Sequence, residues 1–296
     1  MATRTLARTH PGALRIPLRS HVTSNDGVRL FYEATGQGRP LILIHGWSFS
    51  GRFFHRNVPA LAEHARVITV DLRGHGKSDK PDHGYRVSRL AADLRDLLHG
   101  LDLRDATVLG WSLGAPVIWS YLELFGPERI RDTVLVQQTP RQYYSVDWKL
   151  GHHACYDEAS LATTQAQLMA DPAGYDKENL FSCLYHEPAP DELRFLLDEM
   201  APCPPRVRAA LMADHTVKDW RDLLPHLDLP ALVLVARRDG TFPWEGPAWV
   251  GEHMPKAQTV FFEESGHALF LDEPEKFNAT VAAFVQGAKT VARNRP

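Results

Sequence analysis

The segment Gly110-Trp111-Ser112-Leu113-Gly114 constrains this chain more than any other. It follows an apolar run, Ala106-Thr107-Val108-Leu109, and precedes a helical pattern over residues 115–122. That context reads as strand, sharp turn, helix. A serine at such an apex sits in strained backbone with its hydroxyl exposed. Glycines two before and two after it let neighbouring backbone pass too close for a side chain. The helix that follows aims free N–H groups at the same spot, which favours negative charge there. The five-residue pattern alone is a weak signal in a chain with 20 Gly. Its position between strand and helix gives it weight.

Strand-like and helix-like segments alternate along most of the chain. Val28-Arg29-Leu30-Phe31-Tyr32 follows the turn signal Asn25-Asp26-Gly27 and predicts a hairpin. Residues 40–44 and 67–70 are short continuous apolar runs, as buried parallel strands require. Val87, Leu90, Leu94, Leu97 and Leu98 recur at helical steps, with Gly100 placed to stop that helix. Further strands are expected over 133–136, 231–235 and 259–262, and a last helix from about 275 to 291. The alternation predicts an α/β fold, a mostly parallel central sheet flanked by helices on both faces.

One stretch breaks the rhythm. Residues 141–226 hold no strand-like run; helical patterns cover 161–169, 175–184, 191–200 and 206–224, punctuated by prolines. An insertion of this length exceeds an ordinary loop. Ligands bind beyond the C-terminal ends of parallel strands, so the insertion is expected to form a helical cap there. The predicted organisation is a flexible arm over 1–20, a core over 21–140 and 227–290, and a cap over 141–226.

Charge and composition narrow the function. The 33 basic and 36 acidic residues give a net charge of −3 with no basic stripe, so nucleic-acid binding has no electrostatic footprint. The longest apolar runs are strand-length, far short of the ~20 residues of a membrane span. Cys155, Cys183 and Cys203 are odd in number and widely spaced, which points to free thiols in a cytoplasmic setting. None has zinc-site spacing, and no metal or cofactor is expected. Adjacent His152 and His153 point in different directions, so a surface or pocket role is expected rather than metal binding. Arg4, Arg8, Arg15 and Arg19 mark an N-terminal arm that lacks the apolar stretch of a secretory signal. The sequence does not specify an oligomeric state.

A serine hydroxyl needs a base to become a nucleophile, and the base needs a carboxylate to orient it. Of 15 histidines, His267 is best placed, in Glu264-Ser265-Gly266-His267 just beyond the strand-like run 259–262. Asp239 lies just beyond another strand end, between Arg238 and a turn marked by Gly240 and Pro243. Its rivals are Glu263, Glu264 and Asp71, while the segment after residues 133–136, Gln137-Gln138-Thr139-Pro140, offers no carboxylate. A developing oxyanion needs preorganised donors. The Leu113 N–H supplies one, and the Trp47 N–H in His45-Gly46-Trp47-Ser48 the other. His45 is expected to pin this loop.

With these segments together, the chain resembles the α/β-hydrolase superfamily over roughly residues 22–140 and 228–288. The resemblance is carried by His45-Gly46-Trp47, the stretch from Asp71 through Ser78, the serine turn, Asp239 through Pro243, Gly266-His267, Glu273-Pro274 and Phe277-Asn278. The order Ser112, Asp239, His267 is that of the superfamily's triad. The chain looks most similar to small bacterial esterases that include the cofactor-free haloperoxidases, in which the tryptophan after His-Gly supplies an oxyanion N–H. Members with perhydrolase activity carry proline after that tryptophan; Ser48 stands here, so strong peracid chemistry is not expected. Similar dehalogenases and epoxide hydrolases attack with aspartate, which serine at 112 disfavours. Arg73, His75 and Asp79 are expected to tie loops together.

The resemblance implies a serine hydrolase acting on a carboxylic ester or lactone through an acyl-enzyme. A carbon–carbon bond hydrolase or acyltransferase keeps the same triad, and a ligand-binding protein on the same scaffold is a third reading. Phe49, Trp111, Tyr143 and Trp148 are expected to line a pocket for an apolar or aromatic small molecule.

Overall fold

The continuous apolar runs all become strands of one sheet. A computed structural model describes residues 17–287. The strands are β1 (Leu18–Thr23), β2 (Arg29–Thr35), β3 (Pro40–Ile44), β4 (Arg66–Val70), β5 (Ala106–Trp111), β6 (Ile130–Val136), β7 (Ala231–Ala236) and β8 (Ala257–Phe262). Their spatial order is β1-β2-β4-β3-β5-β6-β7-β8. β1 and β2 form the expected hairpin around Gly27, whose φ of 85° suits the turn. β2 meets β4 antiparallel, and every later pairing is parallel.

Strand alternation divides the core in two. Ile42, Ile44, Val233 and Val235 face one side of the sheet, where they join the helices α2 (Val87–Gly100) and α3 (Gly114–Phe125). Leu41, Leu43, Leu232 and Leu234 face the other, where α1 (Val58–Leu61) and α10 (Pro274–Val285) pack. Burial on both faces is why these strands read as unbroken apolar runs.

Between β6 and β7 the chain forms no strand of the sheet; its α-helices there are α4 (Glu158–Ala170), α5 (Pro172–Cys183), α6 (Pro190–Met200) and α7 (Pro205–Thr216). α8 (Glu245–His253) follows β7, and the short α9 (Leu269–Asp272) follows β8. One expected helix is shorter than its pattern. The helix read over 206–224 ends at Thr216, because the next turn docks elsewhere. The Trp220 N–H donates to Pro140 O at 3.0 Å, and Asp219 bridges Arg141. The last helix stops at Val285 and is followed by Gly287 at φ 80°. It is shorter than the expected span to 291, since Gln286 and Gly287 form a turn, and residues 288–291 lie outside the described residues. Residues 1–16 of the expected N-terminal arm also lie outside the described residues, and Leu18–Ser20, expected to be part of it, are strand. Among the described residues no helix is long and apolar enough to cross a membrane.

Candidate active site

Ser112 sits where β5 turns sharply into α3, at φ 51°. Its own N–H donates to Val136 O at 3.0 Å, and Ala115 N–H donates to Ser112 O at 2.8 Å. The flanking glycines are required by contact rather than flexibility. A Cβ on Gly110 would meet Gly114 O at 2.3 Å, and one on Gly114 would meet Ile44 O at 2.6 Å. The turn is therefore closed against both its own helix and the neighbouring strand.

His267 and Asp239 come together from the loops after β8 and β7. His267 Nδ1 lies 3.0 Å from Asp239 Oδ2, and the two side chains are 3% and 0% exposed. Burial alone would raise the Asp239 carboxyl, but contact with His267, the Gln137 amide and the Thr241 N–H hold it below the usual carboxylate value. The Thr241 N–H donates to Oδ1 at 2.7 Å and Gln137 Nε2 to Oδ2 at 2.6 Å. Gln137 is the residue that sequence reasoning missed. It follows β6 at φ 47°, and its Oε1 accepts the Ala236 N–H at 2.7 Å. The segment offers no carboxylate of its own; its amide instead steadies the carboxylate across the loop.

Two of the rival acids are engaged elsewhere. Asp71 accepts the Gly51 and Lys77 N–H groups, each at 2.8 Å, and Glu263 pairs with Arg237 at 3.7 Å. Glu264 is exposed rather than turned into the site.

The loop after β3 runs close beside Ser112. A Cβ on Gly46 would stand 3.2 Å from Ser112 Cβ, which leaves room only for glycine without displacement. Among the described residues, neither the Trp47 nor the Leu113 backbone N–H has a protein acceptor. The Trp47 indole N–H donates to Arg208 O in α7 at 2.9 Å, so this loop is tied to the inserted helices. His45 and His75 hold it from beneath: His45 Nε2 accepts the Leu72 N–H at 3.0 Å, and His75 Nε2 accepts the Ser48 N–H at 3.3 Å. Ser48 has φ 75°, which a proline ring cannot adopt. The departure from the perhydrolase pattern is thus a different backbone as well as a different side chain. Arg73 pairs with Asp93 through two bonds of 2.8 Å, and Asp79 receives Arg29, so both hold loops.

Ser112 and His267 open on one cavity of about 210 Å³. Its core-side wall includes Trp47, Phe49, Thr241 and Phe242, while Gln142, His152, Tyr175, Glu178, Asn179 and His215 come from the segment between β6 and β7. Phe49 reaches the wall as expected, but three other aromatics do not. Trp111 is one layer behind, stacked on Phe49 at 4.6 Å, with its indole N–H donating to His267 O at 2.9 Å. That bond ties the serine turn to the histidine loop. Trp148 packs against Trp249 and donates to Arg141 O, and Tyr143 packs against the core. The wall is also more polar than a pocket for a plain hydrocarbon requires.

The comparisons with known proteins agree with this geometry. A family model described as the alpha/beta hydrolase fold matches residues 39–274. A pimeloyl-[acyl-carrier protein] methyl ester esterase of Nitrosomonas europaea is 31% identical over 253 residues, covering 83% of this chain and 95% of that protein. A non-heme chloroperoxidase of Kitasatospora aureofaciens is 29% identical over 274 residues, covering 89% and 98%. An esterase from Exiguobacterium antarcticum superimposes with a TM-score of 0.86 at 25% identity, covering 91% of this chain and 100% of that one. With the serine turn, the sheet order and the matched length all in accord, the chain belongs to the α/β-hydrolase fold family.

Proposed function

We propose that this protein is a serine hydrolase of carboxylic esters, lactones included. The observation that carries the reading is the His267–Asp239 pair, 3.0 Å apart and opening with Ser112 on one cavity. In this reading Ser112 Oγ attacks the carbonyl carbon and His267 Nε2 takes its proton. Asp239 accepts the Nδ1–H and stabilises the imidazolium. The carbonyl oxygen becomes an oxyanion between the Trp47 and Leu113 N–H groups, with the α3 N-terminus behind it. As the C–O bond breaks, His267 returns the proton to the leaving alcohol. Water, deprotonated by His267, then attacks the acyl-enzyme and restores Ser112.

Residues 141–226 act as the cap over a core of 21–140 and 227–290, and they select the substrate. The substrate is a small molecule. Among the described residues the cavity wall carries no Lys or Arg, and it includes Glu178. That wall offers no cation to an anionic acyl group, which weighs against a hydrolase of ring-opened acids. Three free, buried cysteines support a cytoplasmic setting.

The test is turnover of p-nitrophenyl acetate by the wild-type protein and by Ser112→Ala. A loss of about 10³-fold or more is expected. Equal rates would remove Ser112 from the mechanism.

A further inference from the structure

We propose that His152 is a substrate-positioning residue: its Nε2–H donates to a neutral oxygen carried near the scissile carbonyl, so the preferred substrates are esters with a keto, alkoxy, hydroxyl or amide group there. This deepens the serine-hydrolase reading and rests on it.

The tautomer follows from geometry. His152 Nδ1 accepts two backbone N–H groups, from Ala154 at 2.9 Å and Cys155 at 3.1 Å. An atom that accepts twice carries no proton, so the neutral ring bears its proton on Nε2. No bond from Nε2 to another described residue is formed, and Nε2 is not among the fully buried polar atoms left without a partner. The ring lines the cavity that holds Ser112 and His267, so its open edge faces the cavity.

The ring's position is also fixed relative to the reaction. The His152 N–H donates to Gln142 O and the His153 N–H to Thr241 O, each at 2.9 Å. Thr241 is the residue whose N–H holds Asp239. Phe242 contacts both imidazoles, in T-shaped contact with His152 at 5.3 Å and with His267 at 5.3 Å.

The donor is neutral. Removal from bulk water, with His267 nearby, pushes the His152 pKa down to about 3. A neutral ring does not oppose formation of the imidazolium at His267. It is not a second base, because the nitrogen that would accept a proton is already occupied by the backbone. Nor does a single neutral N–H compensate a carboxylate, least of all with Glu178 in the same wall. What remains is an uncharged acceptor. The sequence predicted a surface or pocket role for this residue; the backbone contacts sharpen it to a donor.

The test compares two isosteric esters, p-nitrophenyl methoxyacetate and p-nitrophenyl butanoate, by the ratio of their kcat/KM values. Using the ratio in each variant cancels the greater intrinsic reactivity of the alkoxy ester. His152→Asn keeps a short side-chain oxygen for the following backbone N–H groups but withdraws the donor from the cavity. His152→Phe removes both. Both variants are expected to lose about tenfold of the wild-type preference for methoxyacetate, chiefly through KM. An unchanged ratio in Asn overturns the proposal, even where Phe changes it, because the loop rather than the donor is then responsible. Equal loss on both esters through kcat also overturns it, as a structural role would produce. In each of these results, a wild type that still depends on Ser112 leaves the hydrolase reading standing. Turnover independent of Ser112 overturns both.

Discussion

Gln137 shows how much of this site depends on groups that carry no charge. Its amide donates to Asp239 and accepts from Ala236, so one side chain ties the end of β7 to the carboxylate that follows it. Replacing it by leucine leaves the buried Ala236 N–H without an acceptor and Asp239 with one donor fewer. The Gln137→Leu variant is expected to lose about 1–3 kcal/mol of stability, read as a lower urea midpoint. It is also expected to lose kcat with little change in KM, since the carboxylate that orients His267 is less firmly held. A variant with wild-type midpoint and kcat would show that the Asp239 loop needs no such support. The serine turn and the strand-end acid and histidine were legible in the sequence by their spacing, and the structure places Asp239 against His267, with Ser112 and His267 on one cavity. Gln137 was not, because a neutral side chain gains its contacts only from what the fold brings beside it.

Among the elements, two of the inserted helices are joined to each other by an ion pair that no local pattern signals. Arg208 in α7 pairs with Asp176 in α5, with side chains 2% and 8% exposed. Arg208 also donates through Nε to Cys203 O at 2.8 Å, and its own carbonyl accepts the Trp47 indole N–H. The pair therefore fixes α5 against α7 at the point where the loop beside Ser112 is anchored. Removing one partner strands the other charge in the interior. Arg208→Met is expected to cost about 3–5 kcal/mol, whereas Arg208→Met combined with Asp176→Leu recovers most of that loss. A double variant no more stable than the single one would show that packing, not charge, is what the position supplies. The helices themselves were readable from periodicity. The end of α7 was not, because Trp220 and Asp219 leave the helical path to meet Pro140 and Arg141, which are distant in sequence.

At the scale of the whole molecule, two apolar layers enclose the sheet, and the site at its C-terminal edge is held by histidines kept neutral. His45, His75 and His215 are buried, and burial lowers all three, His45 to about 4 and His215 to about 3. The sheet and its two cores followed from the alternation of apolar runs, but this electrostatic cost did not, since a histidine in a sequence does not reveal its burial. The sign is fixed by linkage. A histidine whose folded pKa lies below its unfolded value binds protons more readily when unfolded, so stability is full above about 6.5 and falls as pH drops toward the folded value. For His45 this amounts to about 2 kcal/mol between pH 7 and pH 5. Buried carboxylates raised by the same desolvation, such as Asp71 and Asp93, act in the opposite direction, so the total slope does not isolate one group. A variant does. His45→Gln removes the titration, and unfolding free energies from urea titrations at pH 7 and pH 5 should drop by about 2 kcal/mol less in the variant than in the wild type. The variant is also expected to start less stable at pH 7, because the Leu72 N–H loses its ring acceptor. That offset is common to both pH values and leaves the difference intact. An identical pH dependence in the two proteins would mean that His45 titrates alike in the folded and unfolded states, and that the loop beside Ser112 tolerates a charge beneath it at pH 5.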